Sequence, residues 1–239
     1  MTHSALIIGG SSHIGRAIID HLLQSNQPPQ MTVVSRGSQP PAYNQQAWYQ
    51  SDYSEHSMAE LVGLFSDSGQ CFDQVFICHG ILHDDQVSPE KRLEDLDAAS
   101  MQHVFQINAV TPVLWLKHLL PLLKQSTICK VAVFSARVGS ISDNHLGGWY
   151  SYRASKAALN MLLKSAAIEY ARRAPGVKIL AFHPGTTDTP LSSPYSKNVP
   201  EGRLFQPAFV AARLLDILDS LEPDGELSFL DWQNEAVAW

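Results

Sequence analysis

Tyr152 and Lys156 stand four residues apart in the run Tyr152-Arg153-Ala154-Ser155-Lys156. On a helix that spacing puts a phenol and an ammonium on one face. An ammonium beside a phenol favours the phenolate and draws the hydroxyl's pKa down from about 10. A hydroxyl tuned in this way can give a proton to a carbonyl oxygen or take one from an alcohol. The spacing is common in ordinary helices, where an exposed pair contributes little, so the reading rests on the surrounding chain.

The strongest support lies at the start of the chain. Ser4 to Ile8 is a short apolar run of strand formers, followed by Gly9-Gly10-Ser11-Ser12-His13-Ile14-Gly15. Arg16 to Leu23 then places apolar residues at helical spacing. A strand, a glycine-rich turn and a helix together build an anion site. The glycines admit a pyrophosphate close to the backbone, and the helix N-terminus presents unpaired N–H groups and the positive end of its dipole.

A second strand is expected at Met31–Ser35, with Arg36 directly after it and no acidic residue between Asp20 and Asp52. A ribose bearing free hydroxyls calls for a carboxylate at this place, whereas a 2′-phosphate calls for a guanidinium. Arg36, with Ser35 beside it, therefore favours NADP(H) over NAD(H). Further strands are expected at Phe72–Cys78, Lys130–Phe134, Val177–Leu180 and Leu227–Trp232. Strands alternating with helices argue a doubly wound, mostly parallel sheet of Rossmann type, with helices on both faces of one α/β domain. About residues 1–135 would form the cofactor-binding half and about 136–239 the catalytic and substrate segment.

These motifs resemble the short-chain dehydrogenase/reductase family along nearly the whole chain. Gly9 and Gly15 match the outer glycines of its G-x-x-x-G-x-G signature, and His13 stands where the middle one usually sits. The match from Gly147 to Lys156 resembles the carbonyl-reductase branch that includes the C-factor-like proteins. The resemblance implies a nicotinamide-dependent oxidoreductase acting on a carbonyl or alcohol, with Tyr152 as general acid and base. It implies that Lys156 lowers the tyrosine pKa and holds the nicotinamide ribose, and that the Asn108 side chain holds a relay water. Cofactor contacts implied in the same way are Gly9, Ser11, Ser12, His13, Ile14 and Gly15 at the pyrophosphate, and Asp52 and Tyr53 at the adenine. Gly80, Pro184, Gly185, Thr187 and Thr189 complete that set.

Two departures from the family pattern stand out. Cys78-His79 replaces residues of an Asn-Asn-Ala-Gly segment that braces the central sheet, and His79 is the candidate substitute partner. Strict alignment to Gly139 puts Ala136 where the family has a substrate-positioning serine. Ser135 is the proposed replacement, with Ser140 as the alternative and neither as the third possibility. These departures motivate a second reading: a cofactor-binding signalling or regulatory protein with little or no turnover.

The 239 residues are 45% hydrophobic and 17% charged, enough for one full core, and the net charge of −6 offers no basic footprint for nucleic acid. No apolar run is long enough for a membrane span. Cys71, Cys78 and Cys129 have no metal or redox spacing and fit a reducing cytoplasm. The ten histidines form no ligand motif, so no metal is expected. Met101–Lys124 and Trp149–Arg173 read as helices apolar on more than one face. One side suits the sheet and the other a subunit partner, as in the family's homodimers and homotetramers. Pro112 and Pro121 are expected to bend or end the first of these helices. The polar, proline-punctuated stretch from Leu191 to Gln206 reads as a lid over a small-molecule substrate.

Overall fold

A computed structural model describes residues 3–239. Parallel strands buried on both faces are largely apolar, and most of the strands here are, the edge strand Ala47–Gln50 being only partly buried. They are β1 (Ser4–Ile8), β2 (Gln30–Ser35), β3 (Ala47–Gln50), β4 (Gln74–Ile77), β5 (Cys129–Phe134), β6 (Val177–His183) and β9 (Leu227–Asp231). They form a single all-parallel sheet in the order β3-β2-β1-β4-β5-β6-β9. A small parallel pair, β7 (Thr186–Thr187) with β8 (Leu204–Phe205), lies outside it.

Helices cover both faces. α1 (His13–Leu23) and α6 (Pro207–Ser220) pack one side through Ile18, Ile19, Leu214 and Leu218. α2 (Glu55–Asp67), α4 (Thr111–Leu123) and α5 (Tyr150–Arg173) cover the other through Phe65, Trp115, Leu159 and Leu163. The strand order reverses between β1 and β4, and in sheets of this kind ligands bind at the strands' carboxyl ends beside that reversal.

The helix expected over Met101–Lys124 is broken. α3 (Ala98–Phe105) passes into a π turn at Gln106–Val110 before α4 begins. Pro112 has no N–H to offer the carbonyl four residues back, and its ring crowds that carbonyl. The backbone widens instead, so that both the N–H and the hydroxyl of Thr111 reach the Gln106 carbonyl. This turn carries Asn108 into the interior, where it is fully buried. Pro121 stays inside α4, near its end.

The Leu191–Gln206 segment is tied down more than its composition suggests. It contains a 3-10 turn at Ser193–Asn198, and Tyr195 packs edge-on to both His83 and Trp149. No helix among the described residues is long and apolar enough to cross a membrane.

Candidate active site

Tyr152 and Lys156 project from the first turns of α5 into a cleft of about 260 Å³. Its opposite wall is the first loop, through Ser12, His13 and Ile14, and its floor is Cys78, His79, Gly80 and Ser135. Pro184, Thr189, Pro190 and Leu191 close it from the β6 side. An adjoining cavity of about 240 Å³ shares Tyr152 and Ser135 and extends past Leu82, Ala136, Trp149, His183 and Tyr195. It also takes in Gly185 and Thr187. Residues scattered over 180 positions of the chain therefore meet in one place.

The first loop has the shape its glycines require. Gly9 has φ +88°, and a Cβ there would come within 2.9 Å of the Cys78 carbonyl oxygen. A Cβ on Gly15 would lie 2.5 Å from the Gly9 carbonyl oxygen. Ser12 caps α1 by accepting the Gly15 N–H at 3.0 Å. His13 is the first residue of α1 and its side chain is exposed. Ser35 is fully buried, and its hydroxyl donates to Ser11 Oγ at 2.7 Å, so its proton is engaged in tying the loop to β2. Arg36 is exposed beyond the end of β2, with its guanidinium 5.9 Å from the Tyr53 ring centroid. Tyr53 packs edge-on against His79 at 4.3 Å. Asp52 is exposed and accepts the Ser54 N–H, which lowers its carboxyl pKa.

His79 does not take up the bracing role expected of it. Its Nε2 is buried without a hydrogen-bond partner, and burial brings the imidazole pKa down to about 3. The bracing falls to Asn108 instead. Asn108 Oδ1 accepts the Ile81 N–H at 2.7 Å, and Nδ2 donates to the Ile81 carbonyl at 2.9 Å and to Ser155 Oγ at 3.0 Å. Both amide protons are used, leaving one Oδ1 lone pair for any relay water.

Burial also governs Tyr152 and Lys156. It pushes the Tyr152 hydroxyl up to about 12 and brings the Lys156 ammonium down to about 7. The tyrosine therefore shifts opposite to the direction that helical spacing alone suggests. Lys156 Nζ is 2.8 Å from the Phe134 carbonyl, which it uses as acceptor. Desolvation is the cause of each shift.

Ser135 is buried and donates its hydroxyl proton to Asn160 Oδ1 at 2.6 Å. The Asn160 Nδ2 has no partner. Asn160 escaped the sequence reading although Tyr152, Lys156 and Asn160 share one face at four-residue spacing. Ala136 lines the adjoining cavity, while Ser140 is buried next to Ser142 and Asp143 and lines neither cavity. Thr189 lines both cavities, and the buried Thr187 hydroxyl has no partner.

The family model for short chain dehydrogenases matches residues 3–200. The chain belongs to the short chain dehydrogenase family. Among relatives of this short-chain dehydrogenase, the C-signal of Myxococcus xanthus is 35% identical over 147 residues, 62% of this chain and 83% of that protein. The 1-hydroxy-2-glutathionyl-2-methyl-3-butene dehydrogenase of Rhodococcus sp. (strain AD45) is 31% identical over 186 residues, 78% of this chain and 76% of that protein. The carbonyl reductase Sniffer of D. melanogaster superposes with a TM-score of 0.85 at 21% identity, covering 100% of both chains. The NADPH-bound carbonyl reductase from chicken fatty liver also has a TM-score of 0.85, at 22% identity, covering 100% of this chain and 99% of that one. At those identities the superpositions establish the fold.

Proposed function

We propose that this short-chain dehydrogenase is an NADP(H)-dependent oxidoreductase interconverting a carbonyl compound and an alcohol, with Tyr152 as general acid and base. The observation that carries this reading is the convergence of Tyr152, Lys156 and the first loop on one cleft.

The residues present fit the dinucleotide. Gly9 and Gly15 let the first loop fold tightly on itself and against the Cys78 carbonyl, and α1 presents its N-terminus there. Ser11, Ser12, His13 and Ile14 would complete the pyrophosphate site. Arg36 has no carboxylate among its partners in the described residues and would take the 2′-phosphate, with Ser35 holding the loop from behind. Asp52 and Tyr53 would flank the adenine, and Gly80 would pass beneath the ribose. Pro184, Gly185, Thr187 and Thr189 would face the nicotinamide carboxamide. When bound, the nicotinamide supplies or accepts the hydride.

The chain's own groups handle the proton. With its pKa raised to about 12, Tyr152 is protonated at neutral pH and can give its proton to a developing alkoxide oxygen. Lys156, at about 7, sits close enough to neutrality to pass a proton on. A Cβ on Gly80 would lie 3.4 Å from Lys156 Nζ and 3.6 Å from Asn108 Oδ1, so the relay groups adjoin the same backbone point. For Ser135 to donate to substrate, its proton must leave Asn160 Oδ1. A half-turn of the Asn160 amide would aim the partnerless Nδ2 at Ser135 Oγ and free that proton. The substrate is a small molecule, and a homodimer or homotetramer in a reducing cytoplasm is the proposed setting.

The test is NADPH oxidation with a panel of aldehydes and ketones. Activity is expected with some member of the panel and is expected to vanish in Tyr152→Phe. The engaged Ser135 proton and Ala136 favour the second reading, a cofactor-binding regulator. That reading requires tight NADPH binding, no turnover, and indifference to Tyr152→Phe.

A further inference from the structure

Glu90 lies in the irregular stretch between β4 and α3, and it is only 6% exposed. No lysine, arginine or histidine among the described residues forms an ion pair with it. A buried carboxylate without a cation is costly unless hydrogen bonds satisfy it. Here they come from a single place. Glu90 Oε2 accepts the Ser151 N–H at 3.1 Å, and Oε1 accepts the Ser151 hydroxyl. The Glu90 main-chain carbonyl accepts the N–H of Trp149.

All three donors belong to the start of α5, the helix that carries Tyr152. That start lacks a cap of its own. Trp149, at the cap position, has left-handed backbone (φ 51°) and makes no side-chain capping bond, and the first turn contains no acidic residue. Glu90 thus supplies from 61 residues away both the acceptor and the negative charge that a helix N-terminus favours. Tyr152 is the third residue of the helix, and its ring packs edge-on against Trp149 at 6.2 Å. How the first turn is seated therefore decides where the Tyr152 hydroxyl points. The stretch that holds Glu90 also carries Ile81, which Asn108 fixes from the opposite side.

We propose that Glu90 is a positioning residue: it caps α5 across the fold and sets the Tyr152 hydroxyl against the reacting oxygen. The inference rests on the reading of Tyr152 as proton donor. Its test compares the parent with Glu90→Ala, Glu90→Gln and Ser151→Ala in carbonyl reduction, NADPH titration by tryptophan fluorescence, and hydrogen exchange. Glu90→Ala is expected to lower kcat at least ten-fold while the NADPH Kd stays within two-fold. Glu90→Gln keeps an acceptor for the Ser151 N–H and is expected to recover kcat to within three-fold of the parent. Ser151→Ala is expected to fall between them.

Exchange at residues 149–152 is expected to quicken at least ten-fold in Glu90→Ala, with the middle of α5 unchanged. Unchanged kcat in Glu90→Ala would overturn the proposal. So would a Gln variant no better than Ala, or exchange that quickens equally along the whole helix. If the parent shows no carbonyl turnover, the reading of Tyr152 fails, and the exchange data still decide whether Glu90 caps the helix.

Discussion

Asn108→Ala tests the interior bracing of the site. The side chain is fully buried and makes three hydrogen bonds, two to Ile81 and one to Ser155. Its loss leaves the N–H and carbonyl of the half-buried Ile81 without that partner. Ser155 loses less, because its hydroxyl still donates to the Tyr152 carbonyl at 2.8 Å. An orphaned buried donor costs roughly 1–3 kcal/mol, and the other lost bonds add about 1 kcal/mol, for a total of about 3 kcal/mol. For a chain of this size that corresponds to a fall in Tm of roughly 6–12 °C. Urea unfolding would measure it, together with Ser155→Ala and the double variant, where a coupling of about 1 kcal/mol is expected between contacting partners. A loss below about 0.5 kcal/mol, the size of an ordinary surface substitution, or no coupling, would refute the bracing assigned to this side chain.

Arg36→Leu is expected to weaken NADPH binding roughly ten- to hundred-fold, the worth of a charge-assisted hydrogen bond to phosphate, and to leave NADH binding unchanged. Fluorescence titration with both nucleotides reads this, and equal losses for the two would sink the assignment of Arg36 to the 2′-phosphate. Burial lowers the Lys156 pKa from 10.5 to about 7, so the unfolded chain binds the extra proton between those values. Stability from this group is therefore full above pH 10.5 and lost as pH falls toward 7, with a slope of up to about 1.4 kcal/mol per pH unit.

Burial also pushes the Cys78 and Cys129 thiols up from 9.0, and with the raised tyrosines they oppose this rise from about pH 8.5 upward, so Lys156→Met is expected to flatten the urea-midpoint profile between about pH 7 and 8.5. A parent profile already flat there would contradict the buried ammonium. His79 and His183, lowered from 6.5 to about 3 and about 4, act in the acid range. The stability they contribute is present above pH 6.5 and lost as pH falls through that window. Gly10→Ala would place a Cβ 2.2 Å from Val33 Cγ1. Such overpacking costs roughly 1–3 kcal/mol, and Val33→Ala in the same chain is expected to return part of it; the absence of any such recovery would show that the clash is not at Val33.

Periodicity and spacing act over a few residues, and they determined a good part of this protein. Tyr152 and Lys156 share a helix face because the helix repeats every 3.6 residues. The first strand, glycine turn and helix are legible because each has its own local preference, and β1 runs over the Ser4–Ile8 stretch that composition alone marks out. The alternation of strands and helices was enough for a parallel doubly wound sheet. Pro112 announced a disturbed helix, although not that the disturbance would be a π turn carrying Asn108 inward.

What the sequence could not reveal depends on which strands lie side by side and what they shut away from water. Glu90 reaches Ser151, and Ser135 spends its proton on Asn160, only once the segments after β4 and β5 converge above α5. Ser35 adjoins Arg36 in the chain, but its buried hydroxyl is spent on Ser11. Helical spacing points the Tyr152 pKa down, and burial points it up, since a neighbouring ammonium is a local fact and desolvation is not. Hydrogen bonds across 25 to 61 residues and the loss of water are properties of the assembled sheet and helices, and only the tertiary structure decides them.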